Sequence, residues 1–167
     1  MSNVMLDIET LGVSPGSVIL SIGAIRLNTN DKFYCVIDIQ SCLEKGLFIE
    51  APTLEWWLKQ STEARFAILS EQKLILETAL CSFNNWLLPD EYIWSNGVFF
   101  DIPILKEVYR KCDIKPNWKY QNEMCYRTLS KFFPSDKLTR TENNHIAIND
   151  AVNQAEHLKT ILTKLPL

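Results

Sequence analysis

Histidine is scarce in this chain, cysteine is odd in number, and long apolar runs are missing. No hydrophobic stretch approaches the ~20 residues that cross a bilayer, so no membrane partner is expected. The first residues carry no basic region and reach an acid at Asp7, which is unlike a signal peptide. The five cysteines (Cys35, Cys42, Cys81, Cys112, Cys125) are widely spaced and contain no C-x-x-C. That spacing argues against a disulfide framework and against a zinc site, and predicts reduced, buried thiols in a cytoplasmic protein. Positive charge is not in excess either: 17 Lys and Arg face 20 Asp and Glu, for a net charge of −3. A long basic nucleic-acid footprint is thereby unsupported. Internal repeats, low-complexity tracts and linkers are absent. With 47% hydrophobic and 22% charged residues, the composition is that of an ordinary globular chain. Its length predicts one domain over 1–167, able to bury roughly two-thirds of its unfolded surface.

What is present is more pointed. Asp7-Ile8-Glu9-Thr10 follows the apolar run Val4, Met5 and Leu6. On a β-strand successive side chains alternate between faces, so Asp7 and Glu9 share one face and Ile8 takes the other. Two neighbouring carboxylates repel each other unless a hard divalent cation draws their oxygens together. Chance alone yields D-x-E-T in about 2% of chains this long, so the pair reads as half of a metal site, with an exposed strand end as the alternative.

The remaining pattern predicts an α/β fold. Strands are expected over 5–7, 18–27 and 32–39, joined by the turn residues 12–16 and 28–31 as a meander. Helices are expected over 53–59, 62–69 and 71–87, then a fourth strand over 91–95 and helices over 102–112 and 124–132. Residues 134–144 read as a loop, and 147–165 as a closing helix with Ala151, Ala155, Leu158, Leu162 and Leu165 on its buried stripe. A fifth strand is placed near 120–123. Antiparallel strands followed by alternating helices and strands give a mixed sheet flanked by helices.

Two further motifs bear acids. Asn96-x3-Phe100-Asp101 places Asp101 at a strand-to-helix junction, where a carboxylate can also serve as a plain N-cap. His145-x4-Asp150 places a histidine before the last helix and an acid in its first turn, where the helix dipole alone would favour one. H-x4-D by itself arises in about 40% of chains this long. Taken in order, D-x-E-T, N-x3-F-D and H-x4-D resemble the motifs of the DEDDh 3′–5′ exonucleases of the ribonuclease-H-like superfamily, over residues 7 to 150. The segment running from Thr53 through Trp56 and Trp57 to Arg65 is similar to the subgroup that holds T-even phage exonuclease A and the mycobacterial exoribonuclease-like proteins.

This resemblance implies a ribonuclease-H-like fold with a mixed five-stranded sheet. It also implies hydrolysis of single-stranded DNA or RNA from the 3′ end, releasing nucleoside 5′-monophosphates. Asp7, Glu9, Asp101 and Asp150 would hold two divalent cations, Mg²⁺ or Mn²⁺, with His145 as general base. Histidine's ordinary pKa near 6.5 suits that role, and general base catalysis contributes roughly 10²–10⁴-fold. His157 is expected on the surface. Thr10 and Leu11 would lie against the terminal nucleoside, and Phe100 would stack on a base. Trp56 and Trp57 point about 100° apart on a helix, so one is expected in the core and the other as an aromatic wall. Arg65, Lys106 and Arg127 are either phosphate contacts or solvated surface. If four acids line a metal site, the rest of the chain carries +1, and the overall negative charge is no obstacle. The alternative is a catalytically silent exonuclease-fold module that binds nucleic acid or protein. A phage or prophage source and a homodimer would suit the subgroup.

Overall fold

The computed structural model describes residues 2–69, 72–97, 99–134 and 145–165. Six strands form one mixed sheet in the order β4-β3-β2-β1-β5-β6. β1 (Asn3–Thr10) lies at its centre, antiparallel to β2 (Ile19–Arg26) and parallel to β5 (Tyr92–Ser95). β3 (Lys32–Ile37) runs antiparallel to β2, while β4 (Lys73–Leu74) and β6 (Glu123–Cys125) add parallel edges. The sheet therefore has one strand more than the five expected. The extra strand is β4, which lies inside the stretch expected to be helical from residue 71. Lys73 and Leu74 extend along β3, and α4 (Leu76–Trp86) starts only after them.

Other boundaries moved for local reasons. The third strand stops at Ile37 because the Asp38 carboxylate accepts the Ser41 N–H and caps α1 (Ile39–Glu44), a helix the sequence pattern did not reveal. α2 (Ala51–Leu58) begins two residues early, with Pro52 in its first turn, and α3 (Thr62–Ile68) is capped by Ser61. The fifth strand expected over 120–123 is a 3₁₀ turn (Tyr120–Asn122) leading into β6, and β6 takes the first residues of the helix expected from 124. α5 (Asp101–Lys111) and α6 (Tyr126–Phe132) follow their strands, and α7 (Ala147–Leu162) ends before Leu165. The loop expected over 134–144 lies, from 135 onward, outside the described residues. Among the described residues no helix is long and apolar enough to cross a membrane.

Strand alternation divides the interior in two. Val4, Leu6 and Ile8 face a large core with Leu80, Phe83, Leu105 and Tyr109. Met5 faces a smaller one with Ile25, Trp94, Ala151, Ala155 and Leu158 beneath α7. Asp7 and Glu9 share Met5's parity, so both carboxylates emerge where α7 begins. Gly23, the β2 partner of Asp7, makes that approach possible. A Cβ there would sit 2.3 Å from the Ile148 backbone nitrogen, so only a bare backbone lets α7 cross this close.

Two expectations from the sequence are corrected here. His157 is 1% exposed rather than on the surface. Its Nδ1 lies 2.6 Å from the Tyr126 hydroxyl and its Nε2 lies 3.3 Å from the Phe133 carbonyl. Both ring nitrogens are thus partnered, which removes the cost of burying them and ties α6 to α7. No disulfide joins the cysteines, but only Cys35 and Cys42 are buried, and Cys81 is exposed.

Candidate active site

Three elements bring the five predicted catalytic residues to one cleft of about 200 Å³. Asp7 and Glu9 come from β1, Asp101 from the first turn of α5, and His145 and Asp150 from the start of α7. Asp101 is not the helix cap, a position that falls to Phe100. Its Oδ1 instead accepts the Ile8 N–H at 3.3 Å, which pins α5 against the central strand. Asp150 Oδ2 accepts the His145 N–H at 2.8 Å. His145 sits in the left-handed region with φ 65°, a conformation a non-glycine residue holds only when its surroundings enforce it. The Asp150 contact and the Trp56 ring, edge-on to the imidazole at 4.8 Å, supply that enforcement.

The electrostatics of the cleft are those of an anion cluster short of counter-charge. Loss of solvation, followed by repulsion from Asp101, Glu9 and Asp150, holds the Asp7 carboxyl well above the usual carboxylate range. Burial and then the Asp150 and Asp101 charges push Glu9 up to about 8. Burial pushes Asp101 up to about 7, against the pull of the Ile8 N–H, its own N–H and Arg127. Ligand atoms of Glu9, His145 and Asp150 lie within 4.8 Å of one another. The donor set is thus rich in hard oxygens, which suits Mg²⁺ or Mn²⁺.

Gln154 is a site residue that the sequence reading missed. It lies one helical turn after Asp150, donates its Nε2 to Asp7 Oδ1 at 3.0 Å, and leaves its buried Oε1 without a partner. The signal was present in its i,i+4 spacing from Asp150, but glutamine on a helix is too common to stand out. An orphaned buried oxygen beside four carboxylates is consistent with a site built around cations and their waters.

A second, apolar pocket of about 540 Å³ adjoins the first, and Glu9 and Phe100 line both. Trp56 and Trp57 divide as their 100° separation requires. Trp57 is 3% exposed and donates its indole N–H to the Thr10 carbonyl at 2.8 Å, whereas Trp56 is 41% exposed and forms a wall. The Trp57 bond holds the chain where the β1 register shifts between Glu9 and Thr10. Thr10 lines this pocket. Leu11 does not: its side chain packs in the large core.

One consequence is measurable. A carboxyl whose pKa is raised by folding stabilises the fold while protonated, fully below its unfolded value near 4. That contribution is lost as pH rises through about 7 for Asp101 and about 8 for Glu9. Metal-free protein should therefore lose thermal stability between about pH 4 and pH 8, and a divalent cation should restore it most strongly at the alkaline end. At a concentration ~100 times Kd the gain is about 2.7 kcal/mol, or some 5–11 °C in Tm. Thermal unfolding with EDTA and with Mn²⁺ across this range checks it. A cation effect independent of pH would count against the carboxyl cluster.

The mixed sheet and its flanking helices share their fold with solved nucleases. The nuclease domain of 3′hExo, a DEDDh family member solved with rAMP, aligns with a TM-score of 0.62 at 9% identity, covering 98% of this chain and 92% of that one. A 3′-exonuclease solved in 3′-end-specific recognition of histone mRNA stem-loop gives 0.60 at 8% identity, over 97% and 82%. Cell-death related nuclease 4 gives 0.58 at 11% identity, over 98% and 64%. The chain belongs to the family of the 3′–5′ exoribonuclease Rv2179c-like domain, whose model matches residues 2–162. The exodeoxyribonuclease of Enterobacteria phage T4 is 25% identical over 129 residues, 66% of this chain and 56% of that protein. The chain thus spans little more than half the length of this curated relative.

Proposed function

We propose that the protein is a divalent-cation-dependent 3′–5′ exonuclease that removes nucleoside 5′-monophosphates from single-stranded DNA or RNA. The observation that carries this reading is the meeting of Asp7, Glu9, Asp101, Asp150 and His145 in one cleft beside an aromatic-walled pocket. Asp7, Glu9, Asp101 and Asp150 would hold two ions, Mg²⁺ or Mn²⁺. Such ions, when bound, would supply an acidified water and a counter-charge for the departing 3′-oxygen. His145 takes the proton that the attacking water releases, and the Asp150 contact with its backbone sets where the imidazole stands. Gln154 fixes the Asp7 carboxylate, and Thr10, Trp56 and Phe100 receive the terminal nucleoside. Leu11 lines neither pocket, and its backbone N–H and carbonyl are bonded to Val18 and Glu50.

The family description names RNA and the T4 relative names DNA, so both sugars are candidate substrates. Cysteines without disulfides suit a cytoplasmic setting, and the T4 relative suits a phage or prophage source. Digestion of 5′-labelled single-stranded DNA and RNA, side by side with Mg²⁺, Mn²⁺ or EDTA, tests the reading. A cation-dependent ladder shortening from the 3′ end is expected, and the faster substrate identifies the preferred sugar. Intact oligonucleotides under every condition, from folded protein, would favour the silent binding module instead.

A second reading applies to His145, whose ring nitrogen is close enough to Glu9 and Asp150 to act as a ligand rather than a base. The aromatic wall has its own test. Trp56→Ala should raise KM by the ~1–3 kcal/mol that one stacked base contributes, roughly 5- to 150-fold. It should also lower kcat, because the indole braces the imidazole. Unchanged kinetics would place the base elsewhere.

A further inference from the structure

The cleft that gathers four carboxylates has one permanent cation among its described lining residues, Arg127. Of the three basic residues that sequence alone offers as phosphate contacts, the other two are committed elsewhere. Lys106 is paired with Glu123 at 3.0 Å, and Arg65 lines a separate groove with Leu58, Phe66 and Leu69. Arg127 projects from the first turn of α6 across Gly97, and a Cβ at Gly97 would lie 3.1 Å from its Cζ. Gly97 has φ 125°, so both the backbone there and the room for the guanidinium call for glycine. Among the described residues no carboxylate comes within ion-pairing distance of Arg127, although Asp101 feels its charge. Among the described residues its guanidinium thus keeps donors for a ligand.

Charge balance says what they suit. Two divalent cations would cancel four carboxylates and leave the loaded cleft without net charge, against a phosphodiester carrying one negative charge. Arg127 supplies the missing positive charge. A guanidinium also presents parallel donors that match two oxygens of one phosphate, which a lysine does not. We infer that Arg127 is the phosphate-binding residue of this cleft, donating to the non-bridging oxygens of the 3′-terminal phosphodiester and of the nucleoside 5′-monophosphate released from it. This rests on the exonuclease reading given above.

The test compares wild type, Arg127→Ala, Arg127→Lys and Gly97→Ala, using AMP and adenosine as probes in isothermal titration with Mn²⁺ present. Oligonucleotide kinetics are followed over a range of salt. Loss of a charge-assisted hydrogen bond should weaken AMP binding and raise KM by about 10- to 100-fold in Arg127→Ala, with adenosine binding unchanged. The slope of log KM against log salt should fall by roughly one, as expected when one phosphate contact is removed. Lysine should restore part of the loss, and Gly97→Ala, whose Cβ would crowd the guanidinium at 3.1 Å, should weaken AMP binding less than Arg127→Ala does. Thermal stabilisation by Mn²⁺ should stay at the wild-type value, which separates phosphate binding from an effect on the carboxylates. An active wild type with AMP binding and salt slope unaltered in Arg127→Ala overturns the role of Arg127 alone. A wild type that neither digests oligonucleotides nor prefers AMP to adenosine overturns the exonuclease reading and this inference with it.

Discussion

Asp101→Asn is expected to reduce hydrolysis by about 10³-fold or more, while making the metal-free protein more stable above pH 7. Under the proposed function Asp101 is a direct cation ligand, and losing one should cost more than the roughly 10–100-fold that follows loss of a hydrogen-bond partner behind one. The stability gain has the opposite sign because the two effects have different causes. Asp101 is 3% exposed, and its pKa stands near 7 because burial penalises the charge. Asparagine keeps the shape and can still accept the Ile8 N–H, but it never ionises. Each unit of raised pKa corresponds to about 1.36 kcal/mol, so relief on the order of a few kcal/mol is expected at pH 8. At 2–4 °C per kcal/mol this is well within reach of a thermal scan. Asp101→Asn should also blunt the stabilisation by Mn²⁺. A variant that keeps near-wild-type activity, or is less stable at pH 8 without metal, would sink the four-carboxylate site.

His145→Ala should lower kcat by roughly 10²–10⁴-fold, the usual worth of a positioned general base, while leaving the stabilisation by Mn²⁺ close to wild type. The argument is geometric. A histidine held at φ 65°, with its N–H on Asp150 and its ring edge-on to Trp56, occupies a defined place at the mouth of the cleft. Alanine in the same left-handed backbone is strained as well, so the Asn variant, which tolerates that region better, serves as the control for folding. If both variants lose the Mn²⁺ effect along with activity, the imidazole is a ligand and a different group takes the proton.

The two tests are independent of each other because the residues act on different terms. Asp101 sits deep against β1 and governs how much negative charge the fold must hold. His145 is half-buried at the rim beside the wall formed by Trp56, and its removal leaves that charge unchanged.

Much of this was legible in the chain of residues because it depends on short-range geometry. Alternation along β1 puts Asp7 and Glu9 on one face wherever the strand is placed. The 100° step between Trp56 and Trp57 separates them in any helix. Local pattern also accounts for the meander, for α5 and for α7. It failed where contacts from afar took over. Lys73 and Leu74 form a strand only because the edge of β3 is there to pair with, and Glu123–Cys125 only because β5 is. His157 lies inside only because Tyr126 and Phe133 partner its nitrogens.

The same division holds for the site. Residue order and spacing, through the family resemblance they carry, singled out the four acids and His145 as candidates, and the fold brings these five into one cleft. Which Trp is a wall, that Gln154 holds Asp7, that Gly23 must be bare for α7 to cross, and that Arg127 rather than Lys106 or Arg65 faces the cleft all depend on distances between segments far apart in the chain. Such distances are set by packing of the sheet against its helices, which no local pattern encodes.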